Sequence, residues 1–74
     1  MSMLHDPNRK FIGAIRNEYT SEFISKARQT LDKGETLDCV YDDETSSIVY
    51  ARCTDANVRY YTGLLDGFIM AKNN

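Results

Sequence analysis

The residues of this chain that could do chemistry are few: a run of acids, Asp42-Asp43-Glu44, two cysteines, Cys39 and Cys53, one histidine, His5, and five tyrosines. Clustered carboxylates suit hard cations such as Mg²⁺ and Ca²⁺. The run fits no calcium-loop spacing, however, and no further acid is aimed at it. Its plainest reading is a solvated turn, because charge runs are usually solvated. The functional reading retained for Asp42, Asp43 and Glu44 is an acidic tip that engages a basic surface on another protein. His5 has only Asp6 beside it. A catalytic histidine needs an orienting partner and a shaped site, so Ser–His and Cys–His nucleophilic chemistry is not expected. Two cysteines and one histidine cannot complete a four-ligand zinc site. Glycine-rich phosphate loops and nucleophile elbows are absent from the sequence. The reading is therefore of a non-enzyme with no cofactor and no metal.

Tyr19, Tyr41, Tyr50, Tyr60 and Tyr61 are many for 74 residues. Tyrosine is enriched at interfaces, where it offers an apolar body and a polar tip. Tyr41, Tyr50 and Tyr61 fall on expected core faces. Tyr60 instead projects from the side of its helix that holds Gly63 and Gly67. Two glycines at spacing four within a helix imply close approach by a backbone or large side chain. Tyr60, Gly63 and Gly67 are therefore the second candidate interface. The contact is either with the first helix or across a dimer axis.

The elements that must position these groups read in the order α-β-β-α. Asp6 as N-cap and Pro7 at the first helical position open a helix, and Gly34 closes it. Phe11, Ile15, Tyr19, Phe23, Ala27 and Leu31 form a ridge at spacing four. That ridge winds about 40° per step, so the helix must bend, break near Thr20-Ser21, or meet different partners at its ends. Residues 36–41 and 47–53 are rich in strand formers around the polar segment 43–46, which predicts a β-hairpin. A tight loop pairs Tyr41 with Ile48, Cys39 with Tyr50 and Leu37 with Arg52. Leu37, Cys39, Tyr41, Ile48 and Tyr50 then face the core, and the cysteines lie on opposite faces, too poorly placed to bridge. Residues 54–71 predict a second helix capped by Thr54, with Val58, Tyr61, Leu64, Leu65, Phe68 and Ile69 as its apolar stripe.

The expected fold is a small α+β domain over 6–74, after a flexible tail at 1–5, with both helices on one face of an antiparallel hairpin. A two-stranded hairpin is marginal alone and its edges are open. A homodimer that extends the sheet, or crosses helices between copies, would answer both problems.

The net charge is −2, which argues against a general nucleic-acid binder. The charge is uneven: Arg9, Lys10, Arg16, Lys26 and Arg28 make the first segment mildly basic, while the middle is acidic. No apolar run approaches the ~18 residues of a membrane span, and no secretory signal opens the chain. The expected location is the cytoplasm, with reduced thiols. The function expected is a non-catalytic protein-interaction module: an adaptor, regulator or inhibitor of another protein. Compact inhibitors encoded by phages and mobile elements share this outline, by association alone. The alternatives are a nucleic-acid-binding regulator that gathers its basic flanks by dimerising, and a small-ligand binder or enzyme with a site between subunits.

Overall fold

The computed structural model describes residues 9–73. His5, the Asp6-Pro7 helix start and the tail at 1–5 lie outside them. The element order is β-α-β-β-α: β1 (Arg9–Arg16), a 3₁₀ turn (Asn17–Tyr19), α1 (Thr20–Arg28), β2 (Thr36–Tyr41), β3 (Ser46–Arg52) and α2 (Asp55–Asn73). The strands form one sheet in the order β1-β3-β2, with β3 antiparallel to both neighbours. The expected α-β-β-α order is therefore corrected: the first half of the expected helix is a strand, and helix begins only at Thr20, at the break the ridge allowed. This third strand supplies a partner for the hairpin within one chain.

The ridge at spacing four misled because four is also twice the strand period of two. Glycine within a helix costs about 1 kcal/mol relative to alanine, whereas a strand can absorb it in a bulge. The register between β1 and β3 shifts between Phe11 and Gly13. Ile12 and Gly13 together oppose Val49, so Ile12 and Ile15 are both buried while Phe11 and Ala14 point outward. Gly13 lies where α2 approaches closely: a Cβ there would lie 2.8 Å from Leu65 Cδ2, so that buried side chain would have to shift.

α1 ends at Arg28, and the Thr30 hydroxyl donates to the Ala27 carbonyl at 2.8 Å. Gly34 is not its stop. It sits at φ +84° in a turn closed by the Glu35 N–H and the Asp32 carbonyl at 3.0 Å. That left-handed φ is what the third residue of a type II turn requires. α2 matches expectation. The Thr54 hydroxyl accepts from the Asn57 N–H at 3.3 Å, and Tyr61, Leu65 and Phe68 are buried.

The hairpin register is displaced by one residue from the expected pairing. Leu37 opposes Ala51, Cys39 opposes Val49, and Tyr41 opposes Ser47. A one-residue slip turns every side chain of one strand over. Ser47, Val49 and Ala51 are thus buried, while Ile48 and Tyr50 face outward and Tyr41 is 78% exposed. The core joins Ile12 and Ile15 of β1, Leu37 of β2, Val49 and Ala51 of β3, Phe23 and Ala27 of α1, and the buried face of α2. Both helices therefore cover one face of the sheet. Lys72 of α2 meets Glu22 of α1 at 2.8 Å, and this bond is the first cause holding the Glu22 carboxyl below its ordinary value.

Candidate interaction surfaces

The acidic hairpin tip is built by one of its own acids. Asp43 Oδ1 accepts from the Thr45 N–H at 2.7 Å, the Thr45 hydroxyl at 2.9 Å and the Ser46 N–H at 2.9 Å. These bonds, the Thr45 backbone bond first, lower the Asp43 pKa. They also explain the displaced register, because the carboxylate folds the turn around Glu44 instead of a two-residue loop. Asn17 fastens this tip to β1. Its N–H donates to the Thr45 carbonyl at 2.9 Å, and its side-chain amide donates to the Asp43 carbonyl at 3.2 Å. The Ser47 hydroxyl donates to Asn17 Oδ1. Asp42 and Glu44 remain exposed. Among the described residues, no group of three His, Cys, Asp or Glu side chains is placed to hold a metal ion.

The glycine side of α2 is open. Nothing lies within 4 Å of a Cβ built at Gly63 or Gly67, which excludes the expected tight contact with the first helix. Tyr60 is 47% exposed and Met70 66% exposed, and Ala56 and Ala71 complete the stripe at helical spacing. Tyr60 packs edge-on against the ring of buried Tyr61, with centroids 5.1 Å apart. Arg59 and Asp66 lie along one margin of the stripe, and neither has an ion-pair partner among the described residues.

Between α2 and the turn before β2 runs an open groove of about 920 Å³, lined by Lys10, Asp32, Glu35, Cys53 and Asn57 among others. Glu35, Asn57, Tyr61 and Asp32 are hydrogen-bonded to one another there. Glu35 accepts from the Tyr61 hydroxyl at 2.6 Å, from the Asn57 amide at 2.7 Å and from the Asp32 N–H at 3.1 Å. The Tyr61 bond is the first cause that lowers the Glu35 pKa. Burial first, then Glu35, raises that of Tyr61. The arrangement ties α2 to the turn before β2. Cys39 and Cys53 are free. They do not lie on opposite sides of the sheet: both pack against the core. Cys39 opposes Val49, and Cys53 lies beyond the end of β3. Burial is the first cause that raises both thiol pKa values, which favours the protonated, less nucleophilic form.

The outward face of the sheet was missed by the sequence reading. With helices on the other side only, it presents Arg9, Phe11, Ala14 and Arg16 of β1, Ile48, Tyr50 and Arg52 of β3, and Asp38 and Val40 of β2. Phe11 is 61% exposed. It meets the Tyr50 ring edge-on at 6.4 Å, and the Arg9 guanidinium lies 4.1 Å over that same ring. The alternation of residues in 9–16 could have signalled it, had the glycine at position 13 been read as a bulge. No helix among the described residues is long and apolar enough to cross a membrane. Comparison with protein-family models, with curated proteins and with solved structures finds no match to this chain.

Proposed function

We propose that this protein is a non-catalytic interaction module, an adaptor, regulator or inhibitor that docks on another protein through the solvent face of α2. The observation that carries the reading is Tyr60 standing exposed beside Gly63 and Gly67, whose outward side is empty. An aromatic anchor next to small residues lets a partner come close to the helix backbone, and Met70 adds an adaptable apolar contact. The mutual hydrogen bonds of Glu35, Asn57 and Tyr61 support the non-catalytic half of the reading. Asp42 and Glu44 stand exposed at the hairpin tip as a separate acidic surface, whereas Asp43 is occupied by its own turn.

The test uses tagged protein as bait in nuclease-treated lysate of its native host, with Gly63→Glu as the comparison. A Cβ at this position has no atom of another element within 4 Å, so the substitution extends into solvent and blocks the surface without disturbing the core. One protein recovered in stoichiometric amount by the wild type and lost with Gly63→Glu supports the reading. Equal recovery by both removes α2 as the docking surface.

A second copy is the other occupant that a specific observation favours. Two α2 helices crossing antiparallel near Gly63 would set Arg59 of each against Asp66 of the other, in an isologous contact. Sedimentation velocity should then show a dimer that Arg59→Asp dissociates and the charge swap Arg59→Asp with Asp66→Arg restores. A monomer at all concentrations would remove this reading.

A further inference from the structure

β2 is an edge of the sheet: β3 pairs with one side of it, and no strand among the described residues pairs with the other. In an antiparallel pair, alternate residues of a strand bond to the neighbour, and those between them turn their N–H and C=O groups the other way. The Asp42 N–H donates to the Ser46 carbonyl at 3.0 Å, which sets the alternation. Counting back by two, Val40 and Asp38 bond to β3, while Leu37, Cys39 and Tyr41 turn their backbone groups to the free edge. α1 packs beside β2, and between them lies an open groove of about 590 Å³, lined by Ser21, Ile24, Ser25, Arg28 and Gln29 of α1 and Cys39 of β2 among others. Arg28 is exposed and has no ion-pair partner among the described residues. Burial and then the Asp38 charge raise the Cys39 pKa, and the Arg28 charge opposes them, so the guanidinium is close enough to act on the groove. We infer that this groove binds an extended peptide segment of another protein, added to the sheet as a fourth strand beside β2, with an Asp or Glu side chain paired to Arg28.

The dimensions suit that occupant. α1 has nine residues, about 13 Å at 1.5 Å per residue, which is the length of about four residues of strand. Groove-facing side chains of an added strand come at every second residue, about 6.6 Å apart. Ile24 and Arg28 are four residues apart on α1, about 6 Å along its axis. The segment therefore carries an apolar side chain for Ile24 and Cys39, and an acid two residues away for Arg28. Main-chain bonds to the free edge supply affinity, and the two side chains supply selection. A second copy of β2 fits less well. Paired edge to edge, it brings its own α1 to the same side of the sheet, and it turns Leu37, Cys39 and Tyr41 to that side with no acid for Arg28. The groove makes no use of α2, so it is independent of the α2 reading.

The test is an NMR titration of the isotope-labelled full chain with the peptide Ser-Thr-Val-Thr-Glu-Thr-Ser, acetylated and amidated at its ends. The expected result is saturable shifts of the Leu37, Cys39 and Tyr41 amides, with the Tyr60 and Gly63 amides unmoved. Lysine in place of the peptide's glutamate should weaken binding about tenfold, and Arg28→Glu should reverse that preference. Arg28 is exposed, and the amide spectrum of the variant checks that it folds. Absence of saturable shifts at β2, or equal binding of both peptides by the wild type, would overturn the proposal. So would shifts centred on Phe11 and Tyr50 of the outward sheet face. Changes of the same β2 amides with protein concentration alone would give the edge to a second copy and overturn it as well.

Discussion

The hydroxyl of Tyr61 donates to Glu35 at 2.6 Å from a ring that is otherwise buried. A hydrogen bond to a charged acceptor is worth about 1.5–3 kcal/mol, so Tyr61→Phe should lower unfolding free energy by roughly that amount at pH 7, read from urea melts. The pH dependence follows from the lowered Glu35 pKa. A depressed carboxylate contributes stability above its ordinary value of 4.5 and loses it as pH falls through the folded value. The gap between wild type and Tyr61→Phe should therefore narrow below about pH 4.5; an equal gap at pH 3 and pH 7 would contradict the assignment. Asp43 gives a second residue-scale test. Asp43→Ala should lower the thermal midpoint, because four donors of Thr45 and Ser46 lose their acceptor. Asp42→Ala and Glu44→Ala should leave it unchanged. The run of three acids was legible in the sequence, but the separate role of its middle member was not. It depends on a turn conformation that composition alone does not specify.

At the scale of elements, two glycine classes divide the structure. Gly13 sits where α2 presses on β1, and Gly63 sits where α2 meets solvent. Gly13→Ala should destabilise by about 1–3 kcal/mol through overpacking against Leu65. Gly63→Ala should stabilise by about 0.5–1 kcal/mol, as expected for an exposed helical glycine. Thermal melts of the two variants compare the same chemical change at the two sites, and shifts of the same sign would contradict the packing described. The sequence placed the close approach at Gly63 and Gly67, and the fold places it at Gly13. α2 was legible because its stripe from Val58 to Ile69 has a helical period and Thr54 caps it. The hairpin was legible in its strands but not its register, since Asp43 decides the loop. β1 was not legible. Phe11, Ile15 and Tyr19 satisfy both periods, and a bulge, which no periodicity encodes, sends Phe11 outward and Ile15 inward.

The whole molecule is a two-layer body, helices over a three-stranded sheet, with an exposed surface on each side. Helix packing consumes one face of the sheet and one face of α2, and what remains is apolar and aromatic at Phe11 and Val40 on one side and at Tyr60 and Met70 on the other. Exposed apolar groups gathered at one place mark interaction sites more often than scattered ones do. Both surfaces are formed by regular elements, so a partner meets a shape that is fixed before binding, which limits the entropy lost on docking. The most direct measurement is photo-crosslinking from the native host with a benzophenone amino acid in place of Tyr60, and in place of Lys26 on α1 as control. The account predicts one adduct of defined mass from position 60 and none from position 26. Adducts from position 26 alone, or equal yields from both positions, would contradict α2 as the docking surface.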